Sequence, residues 1–396
     1  MTINNIGNLL DKCTGCMACV DICPQKCIEL IVEKDGFIYS KLNEQSCIEC
    51  GQCYKVCPII NKKVMKEKQE LYAAYSGEKA ERERGSSGGI YEVLAKYFLE
   101  KNFYICGAAF DNLELKHIIT NNKDELVKIL KSKYIQSNMV GIYNKIYEVL
   151  KKGQKVFYCG TPCQVSALKN FIPDKLKQNL VTADIICHGV PSQSLFDKYI
   201  KFLEKKYNTK IYEYNFRVKN NRYKHPHGYS IILDKNGKKV IKNGIYTQSS
   251  FYNAFKKYLI FRNSCYNCQY ATLERVSDIT LADFWGISRY NFKGTLDKGI
   301  SMVIINTNIG NKILEEIKDK IISKKYPIEY GIESNYCLTH STKKPKYRDE
   351  IIKLLERENY EEVAKKYFDS SLKYKIYWAL PAVIRNKIRR IREKNV

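Results

Sequence analysis

The chain has 396 residues, of which 44% are hydrophobic, and this content excludes a disordered protein. Its formal net charge is +25, and its 16 cysteines stand in metal-ligand spacings rather than in the pattern of a small disulfide-linked secreted protein. No secretory signal is evident and no apolar run approaches the roughly 20 residues of a membrane span, so we expect a cytoplasmic protein.

The charge is distributed unevenly along the chain. Residues 1–60 contain five Lys/Arg and seven Asp/Glu, a net charge of −2, which leaves +27 for the rest. A basic body of this kind attracts nucleotide cofactors, phosphorylated substrates, acidic redox partners or anionic membrane. The sequence contains no nucleic-acid recognition motif, so we expect no nucleic-acid partner.

Two cysteine runs near the N-terminus share the spacing C-x2-C-x2-C-x3-C-P. This spacing holds 4Fe–4S clusters in two-cluster ferredoxins, where the fourth cysteine of each run binds the other cluster. It predicts a ferredoxin-like dicluster domain over residues 1–62, with two 4Fe–4S clusters. The predicted ligands are a first cysteine set of Cys13, Cys16, Cys19 and Cys57 and a second cysteine set of Cys47, Cys50, Cys53 and Cys23.

Strand-like and helix-like segments alternate from residue 71 onward, which favours an α/β body. The predicted strands cover residues 71–75, 103–110, 155–158, 181–186, 211–218, 229–233, 279–282 and 302–306. The predicted helices cover residues 89–99, 123–133, 141–151, 164–171, 194–205, 252–262, 312–322 and 348–367. The predicted fold is therefore α+β overall: the small ferredoxin-like domain, a larger α/β domain over 71–340 (parts 71–150 and 151–340), and a helical, basic tail over 348–396.

Two turns of the body present backbone N–H groups at the start of a predicted helix. Ser87, Gly88 and Gly89 suit a phosphate there, with a simple helix cap as the alternative. Gly160 and Thr161 follow a predicted strand, with Thr161 at the N-cap and a proline at the first helical position.

Four further cysteines follow predicted strands or stand near helix ends. Cys163 falls in the first turn of a helix, where the positive end of the dipole favours a thiolate. Cys187 follows a strand at the edge where α/β sheets bind ligands, and Cys265 and Cys268 form a C-x2-C pair. This third cysteine set predicts a third 4Fe–4S cluster, with a zinc site or buried structural thiols as alternatives.

The other residues near these motifs have less definite roles. Cys27, Cys106 and Cys337 are predicted core residues, and Cys159 lies near the site without an assigned role. The candidate catalytic groups are His188, which is otherwise a satisfied polar residue, and Asp283. The run Asp283-Phe-Trp285-Gly places aromatic rings where they flank a flavin or form a corner of the core.

In combination, these motifs resemble the β-subunit family of coenzyme F420 hydrogenases and dehydrogenases, over residues 71 to about 310. The matching segments are Ser87-Gly88-Gly89, Gly160-Thr161-Pro162-Cys163-Gln164, Cys187-His188-Gly189-Val190-Pro191, Cys265-x2-Cys268 and Asp283-Phe284-Trp285-Gly286. The resemblance implies FAD and a nearby 4Fe–4S cluster in an iron–sulfur reductase. FAD enters only through this resemblance, because the chain lacks G-x-G-x-x-G. The cofactor-binding residues it suggests are Ser87, Gly88, Gly89, Gly160, Thr161, Gly189 and Trp285.

The predicted function is an iron–sulfur flavoprotein oxidoreductase. Electrons would come from reduced ferredoxin, or from a deazaflavin or nicotinamide donor, and would reach a small-molecule acceptor through the clusters and FAD. Two alternatives are an electron-transfer subunit of a larger redox complex without its own substrate and a redox- or oxygen-sensing iron–sulfur protein.

The C-terminal tail lies outside the resemblance. Residues 373–396 carry eight Lys/Arg against one Glu, with an apolar component that includes Trp378 and Ile388. Such a tail either lies on anionic membrane, at the inner face, or is a solvated terminal helix. The membrane interpretation favours a polysaccharide or cell-envelope precursor as substrate.

Overall fold

The computed structural model describes residues 6, 9, 11–65, 67–220, 225–235, 237–292, 298–370, 376–377, 380, 384 and 388. The helices are α1 (Ala18–Ile22), α2 (Gln52–Val56), α3 (Lys79–Arg84), α4 (Ile90–Glu100), α5 (Leu126–Ile129), α6 (Ile142–Lys151), α7 (Pro162–Phe171), α8 (Gln193–Tyr207), α9 (Ser250–Lys256), α10 (Asn308–Glu316), α11 (Ile328–Ser334), α12 (Arg348–Arg357) and α13 (Tyr360–Val363). Within these residues no helix is both long and apolar enough to cross a bilayer.

The strands form three sheets. They are β1 (Ile28–Val32), β2 (Ile38–Leu42), β3 (Glu70–Ser76), β4 (Phe103–Asp111), β5 (Glu114–Thr120), β6 (Lys155–Gly160), β7 (Leu180–Ile185), β8 (Ile211–Asn220), β9 (His225–Lys235), β10 (Lys238–Ile245), β11 (Ile279–Asp283), β12 (Ser301–Ile305) and β13 (Ile321–Tyr326). The largest sheet has the order β13-β3-β12-β11-β7-β6-β4-β5.

The centre of the large sheet is parallel. Neighbours β11, β7, β6 and β4 run in the same direction, and antiparallel strands flank them on both sides. Strands β7 and β12 are buried along almost their whole length, because apolar clusters pack on both faces of the sheet. The carboxyl ends of β6, β7 and β11 therefore meet at one edge, and the predicted motifs follow each of them.

A second, three-stranded antiparallel sheet has the order β10-β9-β8. It packs with α8, α9, α12 and α13 around an aromatic-rich core that includes Phe196, Tyr214 and Phe251. Together with the large sheet it confirms the predicted α+β fold.

Every strand predicted in the body is present, but three helix predictions were too long. The segment 123–133 stops being helical after Ile129, because Leu130 is extended and Lys131 has φ 69°. The segment 252–262 ends at Lys256, before Tyr258 at φ 59°. The second half of 312–322 was wrong, because Ile321 begins β13.

The dicluster segment packs directly on the body. Its hairpin β1–β2 is antiparallel, and α1 and α2 each lie within a cysteine run. Gln136 Nε2 donates to the carbonyls of Thr14 and Gly15 at 2.9 and 3.0 Å, and Tyr143 Oη donates to the Cys16 carbonyl at 2.8 Å.

The predicted tail lies mostly outside the described residues. Its helical part is interrupted, because Glu358 is extended between α12 and α13. Beyond Ser370 the structure describes only residues 376–377, 380, 384 and 388, so the membrane prediction falls on residues that are mostly not described.

Candidate functional site

A cavity of about 930 Å³ opens at the carboxyl edge of the parallel strands. This is the position at which open α/β sheets bind ligands, and the volume lies in the range of cofactor pockets. Its walls collect most residues predicted from separate motifs: Ser87, Gly89, Gly160, Thr161, Cys163, Cys187, His188, Gly189, Cys265, Cys268, Asp283 and Trp285.

The third cysteine set is gathered at this cavity from three segments. The thiols lie close enough to interact electrostatically: Cys187 with Cys265, Cys163 and Cys268, and Cys265 with Cys268. Burial raises the pKa of Cys163 to about 11 and that of Cys265 to about 12. Without a metal these thiols are protonated at neutral pH, so binding a metal here would release protons.

The local fold explains why Cys163 faces the cavity. Thr161 and Gln164 form a reciprocal capping box at the N-terminus of α7, and Pro162 occupies its first position. The Thr161 hydroxyl lies 3.2 Å from the Cys163 sulfur. The first turn of a ten-residue helix therefore directs both a hydroxyl and a thiol to the same point.

The cysteines of the dicluster segment lie in neighbouring groups that mix the two runs. Cys16 interacts with Cys19, Cys57 and Cys13, so the fourth cysteine of the second run joins the first set. A small pocket is lined by five cysteines, Cys23, Cys27, Cys47, Cys50 and Cys53. The crossed assignment of the fourth cysteines to the two clusters stays a prediction.

Backbone geometry in both runs suits thiolate ligands. The N–H of Gly15 points at the Cys13 sulfur at 3.3 Å, and the N–H of Glu49 points at the Cys47 sulfur at 3.4 Å. Such N–H donors stabilise negative sulfur. Among the described residues, no three His, Cys, Asp or Glu side chains lie close enough together to bind one metal ion. The ligands of a four-iron cluster bind different iron atoms and therefore lie farther apart than the ligands of a single ion.

The first cysteine set and the cavity are joined by Thr14. This residue lies between Cys13 and Cys16, lines the cavity, and its side chain lies near the Cys163 thiol, where it opposes the rise that burial causes in the pKa of Cys163. Cys16 also belongs to the same buried cluster as Cys163. The first set is thus placed beside the third without an intervening element.

The two candidate catalytic residues have defined partners. Burial lowers the pKa of His188, the nearby Asp283 and Asn335 side chains oppose this shift, and the imidazole is neutral at pH 7. Asp283 accepts two hydrogen bonds from Arg217, at 2.6 and 3.0 Å, in a largely buried ion pair. Arg217 also lines the cavity, and its Nε has no partner among the described residues.

Two predicted glycines have steric reasons for lacking a side chain. Gly88 lies behind the cavity wall, where a Cβ would strike the carbonyl of Ala74 and lie 2.9 Å from the Ser301 nitrogen. Gly189 has φ +124°, and a Cβ there would strike the ring of Phe261. Gly88 therefore brings its turn close to β3 and does not line the cavity.

Several cavity residues have no recognisable local pattern in the sequence. Tyr91, His117 and Lys133 come from α4, β5 and the turn after α5. Burial lowers the pKa of His117 to about 4 and that of Lys133 to about 7. The Lys133 ammonium donates to the carbonyls of Ile129 and Leu130 at 3.0 and 2.7 Å.

Unpartnered buried atoms mark the cavity as a polar binding site. Within the described part of the chain, the Tyr91 hydroxyl, His117 Nδ1 and the Ser264 hydroxyl are buried without a hydrogen-bond partner, and all three residues line it. Buried polar groups are rarely left unpaired in proteins. A ligand with donors and acceptors on its edges would satisfy them.

Comparison with known families gives two matches. Residues 153–329 match the family described as the C-terminal region of the coenzyme F420 hydrogenase/dehydrogenase beta subunit. Residues 12–60 match a 4Fe–4S dicluster domain.

Individual relatives are similar over parts of their length. Coenzyme F420-dependent sulfite reductase of Methanocaldococcus jannaschii is 29% identical over 180 residues, which are 42% of this chain and 27% of that protein. Ketoisovalerate oxidoreductase subunit VorC of Methanothermobacter marburgensis is 33% identical over 52 residues, 13% of this chain and 66% of that one. A chain of the F420-reducing NiFe hydrogenase complex from Methanosarcina barkeri aligns with 76% of this chain and 91% of its own length, at 16% identity and a TM-score of 0.43.

These matches account for both parts of the sequence on which the prediction rested. The dicluster match supports the presence of iron–sulfur clusters. The other match shows a relationship to F420-dependent oxidoreductases. The two family models thus confirm the resemblance that the motifs predicted, over residues 153–329 for the C-terminal region of the coenzyme F420 hydrogenase/dehydrogenase beta subunit and over residues 12–60 for a 4Fe–4S dicluster domain.

Proposed function

We propose that the protein is an iron–sulfur flavoprotein oxidoreductase that relays electrons between a redox partner, such as reduced ferredoxin, and a small-molecule acceptor. Bound 4Fe–4S clusters would carry single electrons, and bound FAD would couple them to two-electron chemistry. The supporting observation is that the third cysteine set, the neighbouring Thr14 and most of the predicted cofactor residues line one cavity.

The third cysteine set fits an iron–sulfur cluster better than the alternatives. Four buried or half-buried thiols from separate segments offer only soft ligands, which suit zinc or iron–sulfur clusters. The adjacent first set, joined through Thr14, favours a redox-active group over zinc, because zinc has no redox chemistry. In this role Thr161 and Thr14 orient the Cys163 sulfur.

The rest of the cavity fits FAD. The unpartnered atoms of Tyr91, His117 and Ser264 would hydrogen-bond the polar edges of the ring system. Gly160 and Thr161 at the start of α7 offer N–H groups to a pyrophosphate, and Trp285 offers an aromatic face. His188 is the candidate proton carrier, and Arg217, held by Asp283, would attract an anionic acceptor.

Anaerobic purification with iron, sulfide and flavin quantified tests this proposal. We expect about twelve irons and one flavin per chain, as three 4Fe–4S clusters and FAD require. About eight irons without flavin would contradict the assignment of the body.

A matched pair of variants assigns the third set. Cys163→Ser is expected to lower the iron content by about four atoms, whereas Cys159→Ser should leave it unchanged, because Cys159 lines the same cavity outside the set. Equal iron contents in the two variants would contradict the ligand role of Cys163.

A second candidate is an electron-transfer subunit without its own substrate. It is favoured by the match to VorC, which is named as a subunit of an oxidoreductase. Copurification with a stable partner and no turnover by the isolated chain would support it.

A polysaccharide or envelope-precursor substrate for the enzyme would depend on membrane binding by the tail. Binding of the protein to vesicles of anionic lipid tests this directly.

A further inference from the structure

The second cysteine set has a fifth cysteine beside it. Cys27 lines the same small pocket as Cys23, Cys47, Cys50 and Cys53. Its sulfur lies 3.4 Å from the sulfur of Cys23, and Cys47 lies close by in the same pocket. A fifth thiol is not required by the C-x2-C-x2-C-x3-C-P pattern, which supplies four ligands to each cluster.

Cys27 is fixed in this position by the fold. It directly precedes β1, its carbonyl accepts a 2.8 Å hydrogen bond from the Asn43 N–H, and it is only 6% exposed. Cys23 stands at the C-terminal end of α1 and is half-buried. The two sulfurs therefore face the same point from a strand and from a helix end.

The internal repeat shows that this thiol is particular to one set. Cys57 occupies the position in the second run that Cys23 occupies in the first. Four residues after Cys23 stands Cys27, but four residues after Cys57 stands Asn61, whose side-chain amide donates to the Tyr54 carbonyl at 2.7 Å. The first cysteine set thus has no thiol at the corresponding position of the sequence.

We propose that Cys27 is an alternative ligand of the second cluster and exchanges with Cys23. In the exchange, the iron–sulfur bond to Cys23 breaks as one to Cys27 forms, and the Cys27 proton passes to the released Cys23 thiolate. No electron is gained or lost, so no oxidant or reductant is needed. The inference depends on the dicluster domain and is independent of the flavin and the third set.

Variants at the two positions test the exchange through iron content and the electron paramagnetic resonance spectrum of the reduced protein. Cys23→Ala is expected to keep its iron content with an altered spectrum, because Cys27 becomes the ligand. Cys27→Ala should match the wild type, and the double variant should lose up to about four irons. Cys57→Ala is the matched control and should lose iron by itself, because Asn61 replaces the fifth thiol.

Equal iron loss in Cys23→Ala and in the double variant would overturn the proposal. Far-ultraviolet circular dichroism and the signal of the first cluster show whether each variant is folded.

A second measurement leaves Cys23 in place: anaerobic alkylation of the wild-type holoprotein, mapped by mass spectrometry. We expect Cys23 to be labelled without loss of iron, and to be protected in Cys27→Ala. An unlabelled Cys23 in intact wild-type protein would also contradict the exchange.

Discussion

Arg262 links the dicluster segment to the body through a single buried side chain. It is 1% exposed and donates to the Cys13 carbonyl at 3.1 Å, to the Ile38 carbonyl, and to Gln136 Oε1 at 3.0 Å. Its guanidinium also lies 4.3 Å from the ring centre of Tyr39. Planar donors of this kind satisfy several carbonyls at once, which a lysine cannot do as well.

Replacing Arg262 is expected to destabilise the protein. Arg262→Met leaves buried carbonyls of the dicluster segment without donors, so we expect a loss of about 3 kcal/mol in the free energy of unfolding. Anaerobic denaturant titration measures it. Arg357→Met, at the exposed end of α12, is the control and should change stability by less than about 0.5 kcal/mol.

His117 makes stability depend on pH. Burial lowers its pKa from 6.5 to about 4, the bond to the Cys159 carbonyl opposes this, and the Lys133 charge adds to it. Between these values the unfolded chain binds a proton that the folded protein does not. The contribution of neutral His117 to the free energy of unfolding is therefore fully present above pH 6.5 and is lost as the pH falls towards 4.

The His117 effect can be isolated by substitution. Between about pH 7.5 and about pH 5 the wild type should lose about 2 kcal/mol of unfolding free energy through this residue, and His117→Gln should lack that loss. His340→Gln, at an exposed position, serves as the control. Identical pH profiles for wild type and His117→Gln would show that the group is not held neutral.

At the scale of elements, a carboxylate of the dicluster segment caps a helix of the body. Asp21 in α1 accepts hydrogen bonds from the Gly141 and Tyr143 N–H groups at 2.7 and 3.2 Å, at the start of α6. These N–H groups have no partners within their own helix, and the positive end of the dipole favours a nearby carboxylate. The cap therefore contributes to interdomain packing as well as to the helix.

Removing this cap should lower the free energy of unfolding by a measurable amount. Asp21→Ala is expected to lower the free energy of unfolding by about 1–2 kcal/mol, in the range of N-cap removals. Glu29→Ala, an exposed carboxylate on β1 in the same segment, is the matched control. If both variants have the same denaturation midpoint, Asp21 does not act as a cap.

Sequence patterns predicted elements better than their ends. Strands β6, β7 and β11 were found because they are short apolar runs, and the motifs after them follow from their position. The ends of α5 and α9 were missed because Lys131 and Tyr258 adopt left-handed backbone that their residue types rarely signal. Tyr91, His117 and Arg262 were missed because their roles arise from contacts between distant segments.

At the scale of the whole molecule, the dicluster segment is docked on the body. Gln136, Tyr143 and Arg262 all donate hydrogen bonds to this segment. Tyr270 adds a further contact, because its hydroxyl donates to the Pro58 carbonyl at 2.6 Å. The segment that follows the dicluster run also contacts the body, as the Met65 N–H donates to the Arg275 carbonyl at 2.7 Å. Two domains joined only by a flexible linker would not show this set of contacts.

Cutting the connection tests the docking. A protease site inserted between Lys63 and Val64, cleaved in the folded protein, should leave both fragments in one species on size-exclusion chromatography. Adding Arg262→Met should weaken that association. Immediate separation of the fragments in the otherwise unchanged protein would mean that the covalent link alone holds them.

The position of Thr14 has a kinetic consequence. Because it lies between two cysteines of the first set and lines the cavity beside Cys163, these sites share one interface and never need to meet by diffusion. Any electron exchanged between them is a first-order event, whose rate does not depend on protein concentration or on a search between separate molecules. Encounter with an outside donor, in contrast, is second-order and falls with ionic strength if opposite charges guide it. Salt and concentration would thus act on delivery to the protein and leave internal transfer unchanged.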